Sequence, residues 1–229
     1  MGIVGAFLMI AAGAGLDVLP QDPAPGLMMR TYLNGLASAA LAERSKARDA
    51  LVEPAAIEAY QQSLRAYFLE QLGPLPERTP LNAHVVGQGE GDGYRYEKVL
   101  FESRPNFHVT AVLFLPKKQG PFPGVLVPCG HSANGKAYES YQRACILLAR
   151  NGLAAFIYDP IGQGERLQFP EKDGKTSPGS TTEHMLTGVG CILLGANTAA
   201  YRIWDGMRAL DYLTSRPDID PARIGCTGN

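Results

Sequence analysis

The 229 residues are 45% hydrophobic, enough to bury a sizeable core and too many for a disordered chain. Lys and Arg total 21 against 22 Asp and Glu, so there is no basic footprint for nucleic acid or an anionic membrane. A neutral or weakly charged small molecule suits such a surface better.

Residues 1–15 form an apolar run that ends in small residues, like the hydrophobic region and cleavage zone of a secretory signal. This points to an exported protein, periplasmic or extracellular. The basic residue that usually precedes such a run is missing, which leaves an upstream start as the alternative. Asp17 ends the run short of the roughly 20 apolar residues that a spanning helix needs, so no stable membrane insertion is expected. With the Pro-rich stretch that follows, residues 1–26 read as a signal-like segment and linker.

Helical periodicity then predicts two helices, over 27–50 and 53–72, with Pro54 suited to a first turn and Gly73, Pro74 and Pro76 stopping the second. These belong to a helical extension over 27–80. Residues 87–93 alternate glycine with polar residues; lacking the spacing of a phosphate loop, they read as a flexible turn. Two β-rich runs, 94–102 and 108–116, predict an antiparallel hairpin. From Pro123 onwards strands and helices alternate: strand 124–129, helix 138–151, strand 153–159, helix 198–215, and a last strand entered from Asp218. Such alternation argues for an α/β domain with a mostly parallel sheet and the hairpin at one edge, over 81–229. The long connection 161–197 is charged at first and apolar from 185 to 194, the kind of insertion that shapes a substrate site.

Four cysteines, Cys129, Cys145, Cys191 and Cys226, sit in apolar segments and are expected to be mostly buried and unpaired. Cys129 and His131 lack a second ligand pair, so no metal is expected, and nothing implies a cofactor.

Three motifs stand in order: Pro128-Cys129-Gly130-His131-Ser132 after one strand, Asp159-Pro160-Ile161-Gly162-Gln163-Gly164-Glu165-Arg166 after the next, and Gly225-Cys226-Thr227-Gly228-Asn229 at the last. Together they resemble the first half of an α/β-hydrolase, specifically the acetyl xylan esterase branch, with 27–80 similar to the N-terminal extension of bacterial members. The resemblance implies a serine ester hydrolase that deacylates carbohydrate esters. It makes Gly228 and Asn229 the first positions of a nucleophile elbow, with the serine expected directly after Asn229 and the acid and histidine later still. On that reading the chain is an N-terminal fragment, inactive as it stands. The resemblance also makes Gly130, His131 and Ser132 the loop that supplies half of an oxyanion hole. His131 does not read as the triad histidine, which follows the nucleophile in this superfamily. Asp159 reads as a structural turn residue; Glu165 and Arg166 read as candidates at a cleft rim, where an arginine would bind a carboxylate and admit a uronate ester. His184, beside Glu183, either contacts substrate or caps the apolar segment after it. Trp204 and Tyr201 fit a helix face and core. A peptidase, a dienelactone-type hydrolase and a non-catalytic α/β binding protein are the alternatives.

Overall fold

In β2 (Tyr94–Arg104) and β3 (Phe107–Pro116) the pleat sends alternate side chains to opposite faces. Val99, Phe101, Val109, Ala111, Leu113 and Leu115 enter one core, while Tyr94, Tyr96, Val112 and Phe114 enter another. The two strands pair antiparallel as the hairpin reading predicts, and Asn106 takes a φ of 60° in the turn between them, a conformation asparagine tolerates well. The computed structural model describes residues 25–172 and 178–228. Residues 1–24 of the signal-like segment, and Asn229, lie outside the described residues.

Residues 87–93 depart from the sequence reading. Most of them are strand: β1 (His84–Gly91) pairs antiparallel with β2, so the antiparallel edge has three strands rather than two. The glycines are there for the rings opposite. A Cβ at Gly89 would stand 2.4 Å from the Tyr96 ring, and one at Gly91 would stand 2.3 Å from the Tyr94 ring.

The rest of the sheet is built from apolar runs. β5 (Ala154–Tyr158) is buried at every position, as suits a strand covered on both faces. β4 (Phe122–Pro128) and β6 (Ile219–Cys226) run parallel to it, and the sheet order is β1-β2-β3-β5-β4-β6. The β3–β5 pair is antiparallel, so the six strands form a mixed sheet whose parallel part is β5-β4-β6. α3 (Glu139–Arg150) covers one face, setting Cys145 and Ala149 against Val125, Val127, Ala155 and Ile157. α5 (Thr198–Ser215) covers the other, with Ala209, Tyr212 and Leu213 against Phe101, Leu126 and Phe156. Asn197 caps α5 by accepting the Ala200 N–H at 2.9 Å.

The chain divides into two compact units between Arg65 and Ala66. The first contains α1 (Met28–Asp49) and the beginning of α2 (Pro54–Leu72); the second contains the whole sheet. Within the long insertion lies a helix that the sequence reading did not single out, α4 (Ser180–Leu193). Its cysteine, Cys191, is half-buried, and Cys226 on β6 is exposed. The expectation of mostly buried thiols holds for Cys129 and Cys145 and fails for Cys226, since β6 pairs only with β4 among the described residues. All four thiols are free.

Trp204 ties α5 to the hairpin by donating its indole N–H to the Ser103 carbonyl at 2.7 Å, in a buried setting. Replacing Trp204 with Phe keeps most of the ring and removes that donor. Urea unfolding is expected to show a loss of about 1–3 kcal/mol with the slope unchanged. A loss below ~0.5 kcal/mol, the range of ordinary surface changes, would contradict this packing.

Candidate active site

Because β4 and β6 are parallel neighbours, their carboxyl ends arrive at the same end of the sheet. The Thr227 N–H donates to the Leu126 carbonyl at 3.0 Å, which carries the chain one step past β6. Gly228 then passes so close to the end of β4 that a Cβ there would stand 2.4 Å from the Pro128 carbonyl oxygen. Only glycine makes this approach without displacing backbone.

From that same strand end departs the loop containing Gly130, His131 and Ser132. Cys129 anchors it, buried, with its thiol donating to the Tyr158 carbonyl at 3.3 Å. Burial, with the nearby Asp159 charge, pushes this thiol up to about 12, so it is no thiolate at neutral pH. The Gly130 carbonyl accepts a 2.7 Å bond from the buried Gln163 amide. In a trans peptide the N–H points opposite to the C=O, so the His131 N–H is turned away from Gln163. Among the described residues, neither the His131 nor the Ser132 N–H donates to a protein group.

What holds the loop is Asp159, whose carboxylate is wholly buried. It accepts from Thr110 Oγ1 on β3 at 2.7 Å, from the Lys136 N–H at 2.7 Å and from the Glu165 N–H at 3.2 Å, and it pairs with Lys136 Nζ. Gly135 and Gly164 crowd it so tightly that a Cβ on either would stand within 2.2 Å of Oδ1. The Gly164 N–H meanwhile donates to the Ala133 carbonyl at 3.0 Å, which stitches the turn after β5 to the loop after β4. Glu165 reaches back to the same Lys136 Nζ with a carboxylate that stays exposed. Arg166 is not at a rim. It is buried, bonded to the Asp159 carbonyl at 2.9 Å and to Asp205 on α5 at 2.8 Å, with Phe107 under its guanidinium. Its carboxylate partner belongs to this chain, because a buried guanidinium must be paired internally.

The insertion contributes from α4. Glu183 is buried and accepts the Gln168 and Phe169 N–H groups at 2.8 and 3.1 Å, which folds the loop onto the helix. His184, next to it, lies 2.7 Å from the Ile161 carbonyl and 2.8 Å from His131 Nε2. Burial lowers the His184 imidazole below its ordinary range, and the Arg202 and His131 charges add to this; the Ile161 hydrogen bond and Glu183 work against it. Sequence spacing carried no sign of this pair. On the α5 side of the parallel strand ends lies a largely apolar cavity of about 490 Å³, bordered by Pro128, Tyr158, Arg202, Gly206 and Cys226. No cluster of three or more His, Cys, Asp and Glu stands together at metal-binding distance among the described residues. No described helix is long and apolar enough to cross a membrane.

The two carboxylates on Lys136 are expected to behave very differently. Asp159→Ala strands a mostly buried ammonium and three backbone or hydroxyl donors, a loss of about 3–5 kcal/mol in urea unfolding. Glu165→Ala removes an exposed partner and is expected to cost less than about 1 kcal/mol. Equal costs would contradict the assignment of Asp159 as the organising group.

No protein-family model matches the chain. A Bacillus subtilis (strain 168) protein, YtaP, named for an inferred hydrolase activity, is 30% identical over 176 residues, which are 72% of this chain and 54% of that protein. Among solved structures, a Bacteroides fragilis protein named as an inferred acetyl xylan esterase superposes with a TM-score of 0.63 at 20% identity, over 78% of this chain and 48% of its own. A methylesterase superposes with a TM-score of 0.57 at 24% identity, over 81% and 38%. The chain spans about half the length, or less, of these relatives. With this strand order, helices on both faces and these structural neighbours, the chain has the α/β-hydrolase fold.

Proposed function

We propose that the protein to which this sequence belongs is a serine carboxylic-ester hydrolase acting on esterified carbohydrate, with its nucleophile directly after Asn229. The observation that carries this reading is the meeting of Gly228 with the Pro128 carbonyl, beside a loop whose His131 and Ser132 N–H groups have no acceptor among the described residues. A serine on the turn that follows would face those donors. Attack on an ester carbonyl moves negative charge onto its oxygen, and donors fixed beforehand stabilise that charge without reorganisation. A base and an orienting acid are needed to take the serine proton; the resemblance implies that both come after the nucleophile.

One relative's name, an inferred acetyl xylan esterase, supports the substrate class, and another's, a methylesterase, supports ester chemistry. The largely apolar lining of the cavity at the ends of the parallel strands suits an uncharged ester group. Cys129, buried and protonated, offers no alternative nucleophile. On this reading Glu165 shapes the cleft through Lys136, and Arg166 supports it from within.

The test is to express residues 1–229 beside a polypeptide extended through the relatives' length, and to treat both with a fluorophosphonate probe and an aryl acetate. The extended protein is expected to be labelled and to turn over the ester, and the 229-residue chain to do neither. Equal labelling and turnover by the short chain would place the nucleophile among its own residues and overturn the elbow reading. Labelling of neither would favour a binding protein.

A further inference from the structure

The chemistry proposed above makes no use of the two imidazoles that meet beside the loop. His184 Nε2 lies 2.7 Å from the Ile161 carbonyl, an oxygen that only accepts, so Nε2 carries the proton and Nδ1 holds a lone pair. That lone pair faces His131 Nε2 at 2.8 Å, so His131 is the donor. One carbonyl thereby sets both tautomers, and the hydrogen bonds run in one direction, from His131 to His184 to Ile161. Three segments are joined: the loop after β4, the turn after β5, and α4.

We propose that His131 and His184 form a neutral-imidazole latch that fastens the loop after β4 to α4, which makes His184 a positioning residue for the His131 and Ser132 N–H groups. The part of this that concerns catalysis rests on the ester-hydrolase reading; the latch itself does not. It is not a site for the substrate, because His184 already spends both ring nitrogens on protein partners.

With His131 donating, the latch belongs to one protonation state of His184. A proton on His184 Nδ1 sets a donor against the His131 donor, and the bond survives only if a neutral His131 moves its own proton to Nδ1 and accepts instead; with both rings protonated no acceptor is left and it breaks. The groups facing His184 are His131 from the loop, Arg202 from α5, the Ile161 carbonyl from the turn, and Glu183 from its own helix. Burial, Arg202 and His131 together keep the ring neutral in the fold. The unfolded chain therefore takes the proton first. The latch's contribution to stability is whole above the ordinary imidazole value of about 6.5 and is lost as pH falls from there towards the lower folded value.

Imidazole ¹⁵N spectra of the 229-residue chain test the tautomers directly. At pH 7.5 both His184 and His131 are expected to carry their proton on Nε2; a His184 ring protonated on Nδ1 would overturn the proposal. Two variants separate the arms of the latch. His184→Asn keeps an acceptor where Nδ1 stood and cannot titrate, while His184→Gln keeps a donor for Ile161 and loses the acceptor for His131. The readout is hydrogen exchange, corrected for intrinsic rate, at Gly135 and Gly164, whose N–H groups donate to the loop carbonyls of Ser132 and Ala133. The Gln variant is expected to exchange about fivefold faster, the factor that one neutral hydrogen bond supplies. The Asn variant is expected to match the wild type at pH 7.5 and to lose its acceleration in acid. Equal exchange in the two variants would overturn the latch. In an extended protein that hydrolyses esters, Gln is expected to lower kcat with KM little changed, and Asn to restore it. If no ester is turned over, the enzyme reading fails, while tautomers and exchange rates still decide the latch.

Discussion

A carboxylate without solvent, Asp159, is the constraint on which the carboxyl end of this sheet depends. Such a charge is tolerable only when its lone pairs are filled and a counter-charge is near. The donors that fill them come from different segments: Thr110 from β3, Lys136 from the loop after β4, and Glu165 from the turn after β5. Satisfying the charge and setting the loop geometry are therefore one event. The requirement reaches into the sequence, because Gly135 and Gly164 stand where any side chain would strike the carboxylate. It also reaches outward through Arg166, which bonds the Asp159 carbonyl and carries the turn across to Asp205 on α5.

The direction of the His131 N–H is a by-product of the same packing. Gln163, in the Asp159 turn, takes the Gly130 carbonyl, and peptide planarity then turns the His131 N–H the other way. The arrangement is made before any ligand arrives, which is the condition for electrostatic stabilisation of a developing charge. β6 supplies the complementary half of the geometry by ending against β4, with Gly228 as the point of contact.

Much of this was legible in the sequence where local pattern and tertiary need agree. Apolar runs marked β4 and β5, and the three- and four-residue steps of Ala200, Ile203, Met207, Leu210 and Leu213 marked α5. Where they disagree the sequence misled. Glycines at 89 and 91 read as a turn because the rings that need them, Tyr96 and Tyr94, belong to the next strand. α4 was hidden by Gly188, Gly190 and three threonines, all weak helix formers, and it is held in part by Glu183 binding the loop before it. Arg166 looked like a rim residue because its partner, Asp205, lies 39 positions further on. The His131 and His184 rings are separated by 53 positions, and nothing local marks them as neighbours.

We propose that the loop after β4 and the end of β6 are the two halves of one ester-hydrolysing centre, which a crystal structure of the extended protein carrying a phosphonate adduct would decide. The adduct is expected on the residue after Asn229, with the phosphoryl oxygen about 2.7–3.1 Å from the backbone nitrogen of His131 or Ser132. An adduct on any residue between 25 and 228, or a phosphoryl oxygen turned away from that loop, would contradict it.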